Sequence, residues 1–555
     1  MNHRWAPALV GSLRGYTWRT FFADLTAGVT VGLVALPLAM AFAISSGVPP
    51  QAGLYCAVVA GFLISALGGS RTQIGGPTGA FVVVVSGIVA RHGIDGLFLC
   101  TLMAGALLVV FGVTGLGAVV KFLPRPVVIG FTNGIAVLIA STQVKDFFGL
   151  TVEQVPGEFL GRVKALAAHA RTASLSSTLL AVSALAVIIV FMRFVKRVPG
   201  SIVVLILGTI VVATFGLPVE TIGSRFGGVP SGFPQVVLPH FDAGMIGPLF
   251  EPALTVALLG AIESLMSAVV ADRMSGGRHN PNVELVAQGL ANIASPLFGG
   301  LPATGAIART ATNIRSGART PVAGMVHALT LLAVLLFAAP LARYIPLAVL
   351  AAILMVVAYN MGEWGEIPKL LKMSRADIAV WLATFLLTVF ADLTVAVEVG
   401  MVLAALLYIQ KVTRTTTVSR VSKESMEDSR PHTLHDRYIP GYVTVIRIHG
   451  PFLFGATDKL IDTIDRAEPT PVLILRLRNM TAIDATGLLT LEEVADKLHA
   501  AGRTLILCGA QPQPAKLMRQ AEFESRVGPE NICPNIVAAL VRAETLYLDL
   551  RLARR

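Results

Sequence analysis

Charge and cysteine are scarce in this chain, and each scarcity excludes something. Asp, Glu, Lys and Arg together make up 14% of its 555 residues, where an average soluble domain carries roughly 25%. Water is therefore the wrong solvent for most of the sequence. The four cysteines are scattered, Cys56 and Cys100 inside apolar runs, Cys508 and Cys533 in a charged C-terminal stretch. No pairing or metal-ligand spacing emerges, which excludes a disulfide framework. Metal-ligand clusters, nucleophile–base pairs and nucleotide loops are also missing, so no enzyme, metal or cofactor is expected. His327, alone in an apolar run, reads as a packed or hydrogen-bonded side chain rather than a catalyst.

The N-terminal residues 1–23 carry Arg4, Arg14 and Arg19. They lack the short apolar core and small-residue cleavage site of a secretory signal, and read as a cytoplasmic lead-in. The net charge of +11 could suggest nucleic acid. Its lysines and arginines collect between apolar spans, however, as at cytoplasmic loop ends, so the expected partner is a lipid bilayer.

What the chain has is apolar length: 54% of its residues are hydrophobic. A spanning helix needs about 20 apolar residues to cross roughly 30 Å of hydrocarbon. Leu25 to Ser70 is uncharged and broken at Gly47-Val48-Pro49-Pro50, which makes two helices. Further spans are expected near 77–90, 96–120, 126–144, 174–192, 199–217, 250–271, 282–298, 304–315, 319–341, 344–360, 376–391 and 393–410. Fourteen crossings from a cytoplasmic start put Arg71, Lys121, Arg125, Arg193, Lys196, Arg197, Arg273, Arg278, Arg315, Lys369, Lys372, Arg375, Lys411 and Arg414 on one side, and leave both termini in the cytoplasm. Residues 145–173 resist, because Lys145, Arg162, Lys164 and Arg171 fall on the other side, partly offset by Asp146, Glu153 and Glu158. Past Lys411 charge returns to globular density, so four regions are expected. These are a lead-in, 1–23; a membrane domain, 24–412, with halves near 24–220 and 248–412; a linker, 413–438; and a soluble domain, 439–555.

A short echo is the most informative feature. Gly76-Pro77-Thr78-Gly79-Ala80 opens the third span, and Pro302-Ala303-Thr304-Gly305-Ala306 opens the tenth, seven spans later. Glycine and proline interrupt both helices, and paired interruptions in two halves mark a binding site. A half-helix that starts inside the membrane presents bare backbone N–H groups and the positive end of its dipole. Two such ends facing each other suit an anion. Gly79, Ala80, Gly305 and Ala306 let it approach closely, Thr78 and Thr304 supply hydroxyl donors or N-caps, and Arg309 adds positive field. Glu263 is the lone charge between Pro252 and Ala271. A mid-span carboxyl is costly and functional by default, and one that alternates between wet and dry surroundings can carry a coupling proton. Asp392 falls at an expected tight turn and Glu398 receives no chemical role.

These residues resemble the sulfate permease (SulP) family, bacterial relatives of the animal solute-carrier anion exchangers and of prestin, over nearly the whole chain. The likeness rests on Ala35-Leu36-Pro37-Leu38-Ala39-Met40-Ala41-Phe42, Val48-Pro49-Pro50-Gln51-Ala52-Gly53-Leu54-Tyr55, Gly68-Gly69-Ser70-Arg71, Gly76-Pro77-Thr78, Leu123-Pro124-Arg125-Pro126, Gly260-Ala261-Ile262-Glu263-Ser264-Leu265, and Ala308-Arg309-Thr310 with Arg315-Ser316-Gly317. It implies an all-α membrane domain of fourteen segments as a seven-plus-seven inverted repeat, with core and gate parts and an elevator-like movement in a homodimer of the bacterial inner membrane. It also implies an anion site between the third and tenth helices, lined by Leu38, Phe42, Glu263 and Ile307. Glu263 looks like the acidic residue of proton-coupled members that carry C4-dicarboxylates. Sodium-coupled bicarbonate members have aspartate there and threonine in place of Ile307, so a proton is preferred to sodium. A dicarboxylate or related anion is the preferred substrate, with bicarbonate and sulfate close behind.

From Tyr442, β-like runs at 442–448, 471–477 and 504–508 alternate with helical stretches near 456–467, 487–500 and 512–521, the pattern of a small α/β domain. Ile483-Asp484-Ala485-Thr486-Gly487-Leu488 resembles the loop before a helix in STAS domains, with Thr486 at the phosphorylatable position of anti-sigma factor antagonists. A phosphate there would add charge at a helix start; an N-cap threonine is the simpler reading. The resemblance implies a regulatory or stabilising role, through a cytoplasmic protein partner. An anion channel or voltage-driven motor, and a membrane-anchored STAS sensor, are the alternatives of another class.

Overall fold

The computed structural model describes residues 5–116, 124–152, 155–195, 199–237, 243–391, 393–421 and 439–552. The expectations placed on Arg4, Lys121, Leu123, Glu153, Lys196, Arg197, Asp392, linker residues 422–438 and the Glu398 side chain fall outside the described residues. Two compact units divide the chain, Met1–Val402 and Leu403–Arg555.

Proline starts and glycine stops punctuate the first unit. Its helices are α1 Trp18–Ser45, α2 Pro50–Leu67, then Gly79–Val113, followed by α5 Arg125–Phe148, α6 Leu175–Phe194 and α7 Gly200–Phe215. Gly93 adopts φ 69° and ψ −171° inside Gly79–Val113, a region open essentially to glycine alone, and so divides it into α3, from Gly79 up to Gly93, and α4, from Gly93 on to Val113. The second half comprises α8 Ile246–Ser275, α9 Pro281–Leu297, α10 Ile307–Arg315, α11 Val322–Phe337, α12 Leu347–Met361, α13 Arg375–Phe390 and α14 Leu393–Thr415. Proline at the first turn of α2 and α9 costs no hydrogen bond. Left-handed glycines, Gly149, Gly216 and Gly276, close α5, α7 and α8. All fourteen expected spans are thus helical among the described residues. The resistant segment 145–173 adds a short helix, Phe159–Ala168, which its apolar spacing did not announce.

The helices form two groups, α1–α4 with α8–α11, and α5–α7 with α12 and α13; α14 joins the second through Gly400 against Thr384 and Val127. Packing repeats when each helix is exchanged for the one seven later: α4 on α9 mirrors α11 on α2, and α5 on α13 mirrors α12 on α6. Seven is odd, so the second repeat is inverted relative to the first. Lipid supplies no hydrophobic drive between helices, and small residues let them approach instead. Gly105 and Gly289 lie against each other's carbonyl oxygens where α4 meets α9, and Gly28 and Gly32 of α1 sit against Ala323, Val326 and Thr330 of α11.

One buried carboxylate sets the path of the chain into the third span. Glu284, at the start of α9 and 1% exposed, accepts from the amides of Gly69 at 2.9 Å and Ser70 at 3.1 Å and from Gln288 Nε2 at 3.0 Å. Those amides lie in the turn that carries the chain out of α2. Glu284→Ala leaves them unpaired and should destabilise the protein by about 1–3 kcal/mol, read as a lower Tm in detergent; an unchanged Tm would remove Glu284 from this role.

The second unit holds a five-stranded sheet in the order β3 Thr417–Arg420, β4 Val443–Phe452, β5 Val472–Ile483, β6 Thr504–Cys508 and β7 Ile532–Cys533. β3 runs antiparallel to β4 and the other pairs are parallel. Helices α15 Thr457–Asp465, α16 Ala485–Ala500 and α17 Pro512–Gln520 follow the strands, and α18 Ile536–Leu552 ends the unit. Strand alternation sorts the cores: Ile446, Leu473 and Leu475 meet α16 residues, while Val445, Ile474 and Ile506 meet Ile536, Ala539 and Ala543 of α18. The expected linker 413–438 needs correction at its start, because α14 runs on to Thr415 and Thr417–Arg420 pairs with β4. Four residues with two β-branched side chains suffice for a strand once a partner edge exists. Burial pushes the Cys508 thiol up to about 12. At pH 8 only about one thiol in ten thousand would be thiolate, so maleimide should leave Cys508 unmodified in the native chain and label it only after denaturation.

Candidate anion-binding site

The two interrupted helices meet. β1, Gly75–Gly76, pairs antiparallel with β2, Thr304–Gly305, with Gly75 opposite Gly305 and Gly76 opposite Thr304. The Ala306 amide extends the pairing to Ile74 O at 2.8 Å, and Ile74 N donates to Thr310 Oγ1 at 3.0 Å. Two positions demand glycine. Gly76 has φ 145° and its missing Cβ would stand 2.8 Å from Arg309 Nη1, while a Cβ on Gly305 would overlap Gln73 Nε2.

Hydrogen bonds to α8 and α9 hold the broken chain, as irregular chain inside a membrane requires. Thr304 Oγ1 donates to Gly260 O at 3.0 Å and lies 2.8 Å from Ser264 Oγ. Gln73 Nε2 donates to Ser264 O at 3.0 Å. Asn292 holds Ala303 from both sides, its Nδ2 donating to Ala303 O and its Oδ1 accepting from Ala303 N, each at 2.8 Å.

Some amides are thereby committed and others are left bare. Gly305 N donates to Ser264 Oγ at 3.1 Å and Ala306 N to Ile74 O, so these two, expected from the sequence to face the anion, are occupied. Thr78 precedes α3 and Ala306 precedes α10 as helix N-caps without side-chain capping bonds. Among the described residues, the amides of Gly79, Ala80, Ile307, Ala308 and Arg309 have no backbone or side-chain partner, as the first turn of a helix dictates. They belong to two helix starts joined by one strand pair, and present positive dipole ends together.

Apolar walls narrow the space beside Gly79. A Cβ there would lie 2.8 Å from Ile139 Cδ1, 3.3 Å from Phe42 Cε1 and 3.4 Å from Met361 Cε. Leu38 sits one turn before Phe42 on the same face of α1, and both are buried. Ala80 is buried too, 0% exposed. Ile307 and Glu263 are half-buried, and Ala308 is exposed. Ala308, Thr312 and Arg315 share a face of α10 that is open or half-open. A face that ends in arginine looks onto water rather than lipid. A cavity of about 410 Å³ runs between α3, α8 and α13 past Arg91, Glu251 and Thr388. It reaches Val83, one turn from Gly79.

Glu263 meets the site through a hydroxyl: Thr78 Oγ1 donates to Glu263 Oε2 at 2.9 Å. Arg309 turns the other way, 3% exposed, with Nη2 donating to Pro77 O, so it fastens the start of α10 to the break before α3. The two form no ion pair among the described residues.

Residues 21–384 match the sulfate permease family and residues 436–539 the STAS domain. YvdB of Bacillus subtilis, a putative sulfate transporter, is 41% identical over 525 residues, covering 94% of this chain and 97% of its own. BicA of Picosynechococcus sp., a bicarbonate transporter, is 32% identical over 542 residues, covering 95% of each chain. In fold, the murine anion transporter Slc26a9 in its inward-facing state superposes with a TM-score of 0.86 at 17% identity, over 97% of this chain and 94% of its own. An inverted repeat of fourteen helices with these relatives defines a membrane-embedded anion transporter and not an enzyme. The chain belongs to the sulfate permease family, with a STAS domain at its C-terminal end.

Sequence reasoning missed the supports of the site: Gln73, Ser264, Asn292 and Thr310. Their signal was present as polar residues in apolar spans, but their partners are up to 236 positions away. Thr486, in the second unit, is exposed in the first turn of α16. The N-cap there is Asp484, which accepts from Gly487 N at 2.8 Å, so the capping role considered for Thr486 belongs to its neighbour. Gly305→Ala should lower anion uptake at least about tenfold by forcing β2 from Gln73 and Ser264, and with them from its pairing with β1. Labelled sulfate and bicarbonate uptake, measured beside a thermal melt, checks this, and wild-type uptake would show that the pairing is dispensable.

Proposed function

We propose that this chain is a proton-coupled carrier of a small oxyanion across the bacterial inner membrane, with both termini in the cytoplasm. The carrying observation is the Thr78–Glu263 hydrogen bond, which sets a membrane carboxyl at the head of a half-helix whose Gly79 and Ala80 amides are bare. An anion held by those amides and a proton held by Glu263 would occupy neighbouring places, so each favours the other electrostatically. The site residues are Thr78, Gly79, Ala80, Ile307 and Arg309 with Phe42 and Leu38 as apolar walls, while Thr304, Gly305 and Ala306 hold the cradle's shape.

Sulfate and bicarbonate, named for the relatives, suit the narrow space beside Gly79. A C4-dicarboxylate rests on the resemblance at Glu263 alone. Sodium coupling has less support, because Ile307 offers no ligand oxygen. Movement of the α1–α4 and α8–α11 group against the other helices, elevator-like, in a homodimer, would expose the cradle alternately. The STAS domain would regulate this from the cytoplasm, with exposed Thr486 as a phosphorylation site.

Reconstituted vesicles loaded against labelled sulfate, bicarbonate and fumarate, with proton and sodium gradients imposed separately, test the reading. Glu263→Gln should abolish uphill accumulation driven by an inward proton gradient while leaving downhill exchange; accumulation with unchanged pH dependence in that variant rejects proton coupling through Glu263.

A further inference from the structure

The cradle is built from counterpart helices, α3 and α10, and the wall that faces its α3 side is built from counterparts as well. Ile139 of α5 and Met361 of α12 both reach Gly79. Its missing Cβ would stand 2.8 Å from Ile139 Cδ1 and 3.4 Å from Met361 Cε, with Phe42 Cε1 of α1 at 3.3 Å. Contacts this short leave no room for a methyl group on that side of Gly79. Phe42 belongs to the helix group that carries the cradle, whereas Ile139 and Met361 belong to the other. The cradle is therefore bounded by apolar side chains of the group against which it would move.

Polar bonds hold this wall in place. Gln143 lies one turn beyond Ile139, is 3% exposed, and donates from Nε2 to Ser45 Oγ at 3.0 Å. Ser45 lies one turn beyond Phe42, so the face of α5 that carries Ile139 is tied to the face of α1 that carries Phe42. Asn133, 0% exposed, does the same for Met361. Its Nδ2 donates to the carbonyl of Gly362, the next residue, and its Oδ1 accepts from Trp381 Nε1 at 2.9 Å. A buried amide engaged at both ends keeps a packed surface in one arrangement. The cavity of about 410 Å³ reaches Val83 and Leu138, next to Ile139, but none of Phe42, Ile139 and Met361 lines it.

An apolar wall beside bare amides selects by charge as well as by volume. A compact oxyanion can set its oxygens on the amides and turn nothing toward Ile139 or Met361. A C4-dicarboxylate carries a second carboxylate, and against this wall that group would be buried with no donor to meet it, which is costly. We propose that Ile139 and Met361 are specificity-determining residues, which set the width of the cradle from the opposite helix group and admit a single small oxyanion while excluding C4-dicarboxylates. The assignment rests on the cradle being the anion site.

The test uses the full chain in vesicles, with labelled bicarbonate, sulfate and fumarate supplied separately at one pH. In the wild type, kcat/KM for fumarate should lie at least about tenfold below that for the better small anion. Ile139→Val deletes the Cδ1 carbon that touches Gly79, a small loss for a buried site, and Met361→Ala clears the other side. Each should raise kcat/KM for fumarate relative to the small anion about tenfold, the discrimination that one methylene provides in an apolar pocket, whereas a merely structural lesion would lower both together. Gly79→Ala should block uptake of the small anion by pressing on Ile139, and Ile139→Val added to it should restore uptake, which keeps the test valid if Met361→Ala fails to fold. Equal uptake of fumarate and the small anions by the wild type, an unchanged ratio in both single variants, or no rescue of Gly79→Ala would each overturn the role of the wall. Uptake of none of the three anions by the wild type would instead overturn the cradle reading, and this proposal with it.

Discussion

Everything in the membrane unit converges on one short contact, the antiparallel pairing of Gly75–Gly76 with Thr304–Gly305. Two helices that stop inside a bilayer expose backbone groups that lipid cannot satisfy. Facing each other, the interrupted segments satisfy part of that need mutually. They cannot satisfy the first amides of the helices that follow, because those point along the helix axes rather than across the pair. The result is a place where donors remain unpaired within the protein, and this is the physical root of a candidate anion site with hardly any charged side chain in it.

Such a contact survives only with support from elsewhere in the fold. Ser264 accepts from the Gly305 amide while Gln73 donates to Ser264 O, Asn292 grips Ala303 from both sides, and Thr310 reaches back to Ile74. Glu284 fixes the turn between α2 and β1 from the start of α9. Each support comes from one repeat and serves the chain of the other, or joins neighbouring helices of a single repeat across the break. The interlocked repeats thus supply what an isolated broken helix lacks. Small residues make the interlocking close enough for hydrogen bonds of about 3 Å between backbones that lipid would otherwise separate.

Charge is distributed with the same economy. Glu263 is half-buried and Arg309 buried in the site, yet they do not pair directly: the carboxyl takes the Thr78 hydroxyl and the guanidinium takes Pro77 O. A direct ion pair would neutralise both and quench the positive field of the helix starts. Held apart, the carboxyl keeps one oxygen on the Thr78 hydroxyl and the guanidinium binds the frame together.

Much of this was legible in one dimension. Uncharged length announced fourteen spans, and the echo of Pro77-Thr78-Gly79-Ala80 in Pro302-Ala303-Thr304-Gly305-Ala306 announced two breaks, because hydropathy and glycine–proline interruption act locally along the chain. The same local logic located Glu263 and the α/β domain. Tertiary structure alone decided which amides stay bare, that Gly305 and Ala306 are spent on Ser264 and Ile74, that Arg309 faces Pro77, and that Asp484 rather than Thr486 caps α16. It also decided that the strand Thr417–Arg420 exists, since four residues become a strand only beside a partner. Hydrogen-bond assignment depends on which distant groups arrive within about 3 Å, and no spacing in a sequence encodes that arrival.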